Sequence, residues 1–386
     1  MTGVTIKGWC PSLFEPMAAG DGWLVRVKPR VEGISAAQLR ALADAGEAYG
    51  SGRIEITNRA NFQLRGFAAQ TVPAFAEVMR AVGLASADPA AERRRNIVVT
   101  AGLAPDMMEV AQRLEAWLEQ DGELQALPAK FGYAVGEMIG VADLCILPGG
   151  FVALPGHVAV PTADPVATVQ ALTHAFLRLA RERASRPTRL RDLLAALGSE
   201  AFCAAAGFEG QVFTPAAPQP GTFGLGLAYD GQTAARLRRA AELAMRFGNG
   251  WLQTTIDRSL VVLGTDDDHA GLAAAARAAG FIIDSTDPRR WIKACVGRPA
   301  CANAGADVRA VAVMLAPRWA GTGVLHVSGC AKGCAAPGGA AVNLVATAQE
   351  DRFDIVCDKR ANALPERAGV SLQDAIEWMT ERQFCR

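Results

Sequence analysis

The sequence predicts an α/β fold of the α+β kind: two copies of one unit, built of antiparallel sheets with flanking helices and related by a pseudo-two-fold axis. Three observations carry this expectation. The chain repeats itself, since YGSGRIEITNRANFQLRG, starting at Tyr49, aligns without a gap with FGNGWLQTTIDRSLVVLG, starting at Phe247; Gly50 and Gly248 coincide, 198 residues apart. A repeat of that length marks a duplicated structural unit. Each copy is preceded by a stretch with apolar residues at helical spacing that ends at glycine. Each then continues at once into short strand-like runs, so helix and strand match in order.

Taken along the chain, residues 8–20 (GWCPSLFEPMAAG) hold two prolines and two glycines and read as an irregular entry; Cys10 is structural. Trp23–Val27 alternates as a strand does. Ser35–Tyr49 opens with a serine cap and is helical, then RIEITN is a strand and Arg59–Gly66 a second polar run. Glu92–Pro105 is a basic cluster leading into a strand and a Gly/Pro turn. Met107–Gln120 is an amphipathic helix, Leu127–Met138 a strand bounded by Pro and Gly, and Cys145–Val160 a hairpin about Pro148-Gly-Gly150. Val166–Leu197 is helical with a break near Ser185-Arg-Pro, and 209–222, rich in Pro and Gly, links the halves. In the second half Arg236–Gly250 and His269–Gly280 are helices. Asn343–Thr347 and Arg352–Val356 are strands, and Ser371–Gln383 is a closing helix. The division expected is 1–85, 86–208, 209–285 and 286–386.

The 386 residues suffice for two or three domains or one large pseudo-symmetric unit. Lys+Arg and Asp+Glu are both 39, so the zero net charge speaks against a nucleic-acid partner. No run of 18 apolar residues predicts a membrane span. The start, MTGVTIKGWCPSLFEP, has no apolar signal segment, so the expected compartment is the cytoplasm.

Four of the nine cysteines lie in the stretch Trp291–Pro337: Cys295 and Cys301 as C-x5-C, then Cys330 and Cys334 as C-x3-C. Small residues, Gly and Pro follow each pair, so backbone amides can approach the sulfurs. Four thiolates are the usual ligands of a [4Fe–4S] cluster. Zinc, whose cysteine pairs are usually closer, ranks second, and disulfides in a cytoplasmic chain rank third.

The other chemistry-bearing run is T-N-R-A-N-F-Q-L-R. On a strand, Arg59, Asn61, Gln63 and Arg65 share one face, where the second copy carries Asp257, Ser259, Val261 and Leu263. The repeat is kept while the basic chemistry is lost, which sets the first copy apart from an ordinary solvated sheet face. Arg26, Lys28, Arg30, Arg93, Arg94, Arg95 and Lys130 also fall in this half, with Arg93 and Arg94 assigned to the surface. Arginine's planar fork suits carboxylates, so a ligand bearing many carboxylates accounts for the bias.

These motifs resemble those of the sulfite and nitrite reductase superfamily: the cysteine spacing with GCAKGCAAP, the T-x-R-x-x-F-Q strand, the R-N at Arg95-Asn96, and LPAKFGY for an L-P-x-K-F-K segment. The resemblance implies ferredoxin-like halves at 1–85 and 209–285 and reductase-type α/β domains at 86–208 and 286–386, the last carrying the cluster. It makes Arg59, Arg95 and Lys130 catalytic, and Arg26, Lys28, Asn61, Gln63, Arg65 and Asn96 substrate-binding. Cys295, Cys301, Cys330 and Cys334 become the metal ligands, with Cys334 nearest any second iron. Gly132 stands where the superfamily has a second anion-binding lysine. With KGWCPSLFEPMAAGDGWLVRV at the start, the chain resembles over its full length the precorrin-3B synthase branch. What that branch implies is a metal-free tetrapyrrole substrate, precorrin-3A, hydroxylated by dioxygen and closed to a γ-lactone. It also implies an NADH-linked electron donor and a mononuclear non-haem iron beside the cluster. Of the four histidines only His326, four residues before Cys330, is a candidate ligand for that iron. The rival readings are a sirohaem-dependent sulfite or nitrite reductase and a ferredoxin-like electron carrier.

Overall fold

Two helices, each started by a hydroxyl cap, organise the structure. It is a computed structural model that describes residues 11–138, 140–213, 224–265, 268–320 and 322–384. Cys10, Cys385 and residues 214–222 of the expected link lie outside these. Ser35 accepts from the amide of Gln38 while the Gln38 side chain accepts from the amide of Ser35, a capping box that starts helix Ala36–Tyr49. Thr233 caps its mate Ala234–Phe247. Both helices end at glycine, and they pack on one another through Leu39, Leu42, Ala43, Leu237, Ala240 and Ala244 in one buried core. Alanines on the facing sides let the two backbones come close.

Each helix is preceded by a two-residue strand that pairs in the other half. Ile34–Ser35 runs antiparallel to Trp251–Leu252, and Gln232–Thr233 antiparallel to Arg53–Ile54. The reciprocal bonds Ala36 N to Gly250 O (2.8 Å) and Ala234 N to Gly52 O (3.0 Å) complete the exchange. Sheet I therefore has the order Met17–Ala19, Gly22–Val27, Phe62–Phe67, Arg53–Ile56, Gln232–Thr233. Sheet III has Leu225–Gly226, Ser259–Val262, Trp251–Thr254, Ile34–Ser35. Both are antiparallel, and they share one hydrophobic core.

The other two sheets are mixed, so parallel pairs join the antiparallel ones expected. In sheet II the strands Ile97–Val99, Tyr133–Val135 and Leu144–Leu147 are parallel, then Phe151–Leu154 and Val158–Pro161 antiparallel. Sheet IV repeats the plan with Ile292–Ala294, Leu325–Ser328 and Ala340–Ala346 parallel, then Arg352–Lys359 and Arg367–Ser371 antiparallel. For the first pair in each the reason is connectivity: helices Pro105–Gln120 and Val308–Leu315 cross over between the two strands, the kind of link that a parallel pair takes. The duplication thus runs through the whole chain. Among the described residues no helix is long and apolar enough to cross a membrane.

Two local features depart from regular alternation. Arg59 and Asn61 precede the strand Phe62–Phe67 and belong to a hairpin turn, in which Thr57 N bonds Asn61 O (2.9 Å) and Ala60 N bonds Thr57 O (3.0 Å). Ala60 sits at φ 55°, and its mate Arg258 at φ 68° in the same turn of the second copy. Further on, a β-bulge places both Arg65 and Gly66 between Leu64, opposite Val25, and Phe67, opposite Trp23. Arg59, Asn61, Gln63 and Arg65 therefore do not line one flat face.

Candidate active site and cluster loop

The turn Thr57–Asn61 faces the entries of the parallel strands of sheet II, and between them lie two adjoining hollows with open volumes of ≈ 310 and ≈ 330 Å³. Both are lined by Arg59, Asn61 and Asn96. The first adds Gly132, Tyr133 and Arg189, the second Arg26, Lys28 and Arg93. Among the described residues the two linings hold five basic side chains and no carboxylate, the make-up of an anion site. Arg59 is half-buried and donates to the carbonyl of Lys130 (3.1 Å). Asn96 donates to the carbonyls of Arg93, Ala129 and Phe131, each at 3.2 Å, and so ties the loop before Gly132 to the helix end before Ile97.

The remaining site residues named from the sequence are spent in different ways. Arg26 donates to Gln63 Oε1 through Nε and Nη2 (both 3.0 Å), Gln63 donates to Glu55 Oε2 (2.6 Å), and Arg309 of the second half donates to Glu55 Oε1. These pairs follow the strand register, Arg26 against Gln63 and Gln63 against Glu55, so Gln63 is the middle of a cross-strand row. Lys28 is buried and donates to the carbonyls of Glu92 (2.6 Å) and Arg93 (3.1 Å) at the end of helix Pro89–Arg94, where a cation is favoured. Lys130 makes no side-chain hydrogen bond or ion pair among the described residues and reaches the site through its carbonyl.

Arg95 departs most from expectation. It is 2% exposed and points away from the hollows. Its guanidinium bonds Glu92 (2.9 Å), Glu115 (3.0 Å) and the carbonyls of Lys28 (2.7 Å) and Pro29 (2.8 Å). Burial alone would pull its pKa down, but Glu92 and Glu115 outweigh that and hold it above the usual arginine value, while burial pushes the Glu115 carboxyl up. Here Arg95 fastens two segments together. Arg94, assigned to the surface by its run of basic neighbours, is buried as well and donates to the carbonyls of Leu118 (3.0 Å) and Glu119 (3.1 Å) at the end of helix Pro105–Gln120. Arg93 reaches out to Glu15 (3.6 Å). Arg65 is buried against Asp21 and the carbonyl of Ala300.

Sequence reasoning passed over Asp143 and Arg189. Asp143 is 1% exposed, accepts from Arg189 Nε (2.9 Å) and from the amides of Gly132 (3.0 Å) and Leu190 (2.9 Å), and so fixes the loop carrying Gly132. A Cβ at Gly132 would meet only Asn96 O, at 3.5 Å, an ordinary contact, so the position does not demand glycine for want of space at Cβ. No motif in the sequence flags the Asp143–Arg189 pair.

In the second half the four cysteines converge. Cys295 follows strand Ile292–Ala294 and Cys330 follows Leu325–Ser328, neighbouring parallel strands. Cys295 Sγ accepts the amide of Gly329 (3.2 Å), and a Cβ on Gly329 would stand 2.6 Å from that of Ala304, so glycine lets the two segments meet. Burial raises the Cys295 thiol, and Cys330 and Cys301 add to the rise. Cys334 reaches the surface, yet its thiol is pushed up to about 11, first by loss of solvent and then by Cys295, Cys330 and Cys301, against the pull of Lys332. Cys334 therefore lies within electrostatic reach of the other three. The four sulfurs are not drawn into the shell of a single ion, since among the described residues no three His, Cys, Asp or Glu are so placed. A tetrahedral zinc would hold its sulfurs about 3.8 Å apart, from Zn–S of about 2.3 Å. Four thiols with an amide donated to one of the sulfurs are the donor types that a [4Fe–4S] cluster takes.

The second iron finds no such set. A non-haem iron takes two imidazoles and a carboxylate. His326 is fully buried, with Nδ1 bonded to Asn343 Oδ1 (2.9 Å). Asn343 donates its amide to Val356 O and Lys359 O (3.0 Å each), which leaves the oxygen facing His326 and the proton on Nδ1. Nε2 thus presents a lone pair without a partner among the described residues. Burial first, then Lys293 and Arg258, lower the pKa of the ring against the pull of Asn343. Those cations oppose a metal ion, and among the described residues no carboxylate or second histidine joins it.

Comparison with known proteins completes the picture. Residues 15–82 match the family model of the nitrite/sulfite reductase ferredoxin-like half domain. A precorrin-3B synthase of Sinorhizobium sp. is 31% identical over 93% of this chain and 84% of its own length. A ferredoxin–nitrite reductase of Synechococcus elongatus is 26% identical over 87% of this chain and 78% of its own. The structure of the Mycobacterium tuberculosis NirA protein superposes with a TM-score of 0.71 over 92% of this chain and 79% of that chain, at 17% identity, a likeness of fold.

Proposed function

The chain belongs to the precorrin-3B synthase family, and from that premise we propose that it converts precorrin-3A to precorrin-3B. In that reaction C20 of a metal-free tetrapyrrole is hydroxylated and the ring A acetate closes to a γ-lactone. One oxygen atom of O2 enters the product and the other leaves as water. Two electrons from an NADH-linked donor and two protons balance the change. The observation that carries this reading is the pair of hollows with five basic linings and no carboxylate, suited to a macrocycle rich in carboxylates. Arg59 stands at their junction and takes a carboxylate. Asn61 and Asn96 orient it, and Arg26 and Lys28 extend the positive field. When bound, the [4Fe–4S] cluster held by Cys295, Cys301, Cys330 and Cys334 supplies electrons one at a time. The exchanged strands join the two halves. We assign the protein to the cytoplasm and keep the four-part division at 85/86, 208/209 and 285/286.

Gly132 separates this reading from a sulfite or nitrite reductase. An oxyanion losing its oxygens needs concentrated positive charge, and the lysine that the superfamily sets there is absent although a Cβ would be accommodated. Dioxygen carries no charge to neutralise. With labelled dioxygen, NADH and a reductase, the expected result is labelled precorrin-3B. Robust sulfide or ammonia formation from sulfite or nitrite with a strong artificial donor, together with sirohaem bands in the visible spectrum, would reverse the assignment.

The two turns should differ in importance. Arg59→Ala removes a charge-assisted bond worth about 1.5–3 kcal/mol, so tetrapyrrole binding in a fluorescence titration should weaken roughly 10- to 150-fold. Arg258→Ala, in the second copy, should weaken it far less. Equal losses would contradict the asymmetry.

A further inference from the structure

Arg65 lies in a sheet that contributes no cysteine, yet it holds the loop that does. Its Nε and Nη2 bond Asp21 Oδ2 (3.0 Å) and Oδ1 (2.9 Å), and Nη2 also donates to the carbonyl of Ala300 (3.1 Å), the residue before Cys301. Arg65 is 6% exposed and Ala300 4%. We propose that Arg65 and Asp21 form a clamp that positions the Cys301 loop for the iron–sulfur cluster, making Arg65 a positioning residue for a ligand and not a contact to substrate. This rests on the reading of the four cysteines as cluster ligands.

Four further observations bear on it. The hairpin tip beside Asp21 is seated on the same loop: a Cβ at Gly20 would come within 2.9 Å of Ala302 N and 3.0 Å of Ala300 O. Only glycine allows that approach. Arg65 itself is fixed from behind, its carbonyl accepting both the amide and the hydroxyl of Ser51 (2.9 Å each). The bulge at Arg65–Gly66, with Gly66 at φ +76°, is the kind of irregularity that re-aims a side chain. The mate position shows that the fold does not demand arginine. Asn249 N bonds Leu263 O (3.0 Å) as Ser51 N bonds Arg65 O, so Leu263 occupies the same backbone site without the charge.

The chemistry explains the choice of residue. The other bonds around the loop come from the second half: Cys301 N to Gly297 O (2.8 Å), Gly305 N to Gly329 O (2.7 Å), Arg298 Nε to Ala304 O (2.7 Å). Arg65 supplies the tie to the first half. A buried ion pair contributes little net stability, but it can specify one arrangement. The planar fork spends two donors on Asp21 and still has one for the carbonyl, a geometry lysine cannot reproduce.

The test uses the full chain in two states. In the cluster-free protein, hydrogen exchange at the amides of Cys301 and Ala304 should rise about tenfold or more in Arg65→Met, the effect of losing a charge-assisted bond. Asp21→Asn should raise it less, and Leu263→Ala should leave it unchanged. In the reconstituted protein, Arg65→Met should lose its cluster to a chelator several-fold faster, with an altered electron-spin resonance signal of the reduced cluster. Arg65→Lys, which keeps the charge and guards against simple misfolding, should restore the thermal transition but not the signal. Unchanged exchange in Arg65→Met overturns the clamp. Faster exchange with an unaltered signal and chelation rate overturns its role toward the cluster. A wild-type chain that takes up no cluster removes the underlying ligand reading, while the exchange data still judge the clamp itself.

Discussion

Cys301→Ser should leave the protein folded and without its iron–sulfur cluster. Cys334 sits within electrostatic reach of the other three thiols, and Gly329 and Gly297 bring amides to the Cys295 sulfur. A cluster missing one thiolate loses the ligand that closes its corner, and serine's hydroxyl does not ionise near neutral pH to replace it. Iron and acid-labile sulfide per chain should fall to background, with loss of the broad visible absorbance; Cys295, Cys330 and Cys334 should behave alike. The other cysteines supply the contrast. Cys145 and Cys203 are buried, with thiols raised by that burial, and the Cys357 thiol is pushed up to about 11 by burial and by Glu366. Each of the three packs within a hydrophobic core, so serine there should cost packing and leave iron unchanged. A Cys301→Ser protein with full iron and sulfide would end the assignment, and one zinc per wild-type chain would favour the structural rival.

How much of this was legible in the chain varies with the kind of signal. The duplication was legible because glycine, helix and strand recur at a constant separation, and helix starts at Ser35 and Ser371 were legible because their caps are chemical. The exchanged strands were not, since Ile34–Ser35 and Gln232–Thr233 are two residues long and have no periodicity to read. The polar run from Arg59 to Arg65 looked like one strand face. The turn hides in it because alanine and arginine occupy the positive-φ position, where glycine or asparagine would announce a turn. The bulge hides as well, because only pairing with Val25 and Trp23 reveals the extra residue. Cysteine spacing carried the cluster site plainly. Basic residues did not sort themselves: Arg26, Lys28 and Arg59 line the hollows, whereas Arg65 and Arg95 are fastened inward. For Arg95 a signal existed. D-P-A-A-E-R-R-R is a capped helix start, and on a helix Glu92 lies beside Arg95.

Arg95→Met should therefore destabilise the first half rather than weaken substrate binding. The guanidinium is 1% exposed and sits between Glu92, itself 0% exposed, and Glu115, 9% exposed. Removing one partner of a buried pair leaves uncompensated charge and costs about 3–5 kcal/mol. Here two carboxylates and the carbonyls of Lys28 and Pro29 lose their donor at once. The loss should appear as an earlier unfolding transition in urea and as faster hydrogen exchange in the strand Ile97–Val99 and its neighbours. Making the carboxylates neutral tests the cause. Arg95→Met with Glu92→Gln and Glu115→Gln should recover much of the stability, because the remaining groups carry no buried charge. Glu92→Gln keeps an oxygen for the amide of Ser86, which bonds Glu92 at 3.0 Å. Recovery by the triple variant would assign the defect to electrostatics in the core. If Arg95→Met instead kept full stability and lost tetrapyrrole affinity, the side chain would have to swing out to the substrate, and the inward arrangement would not be the working one.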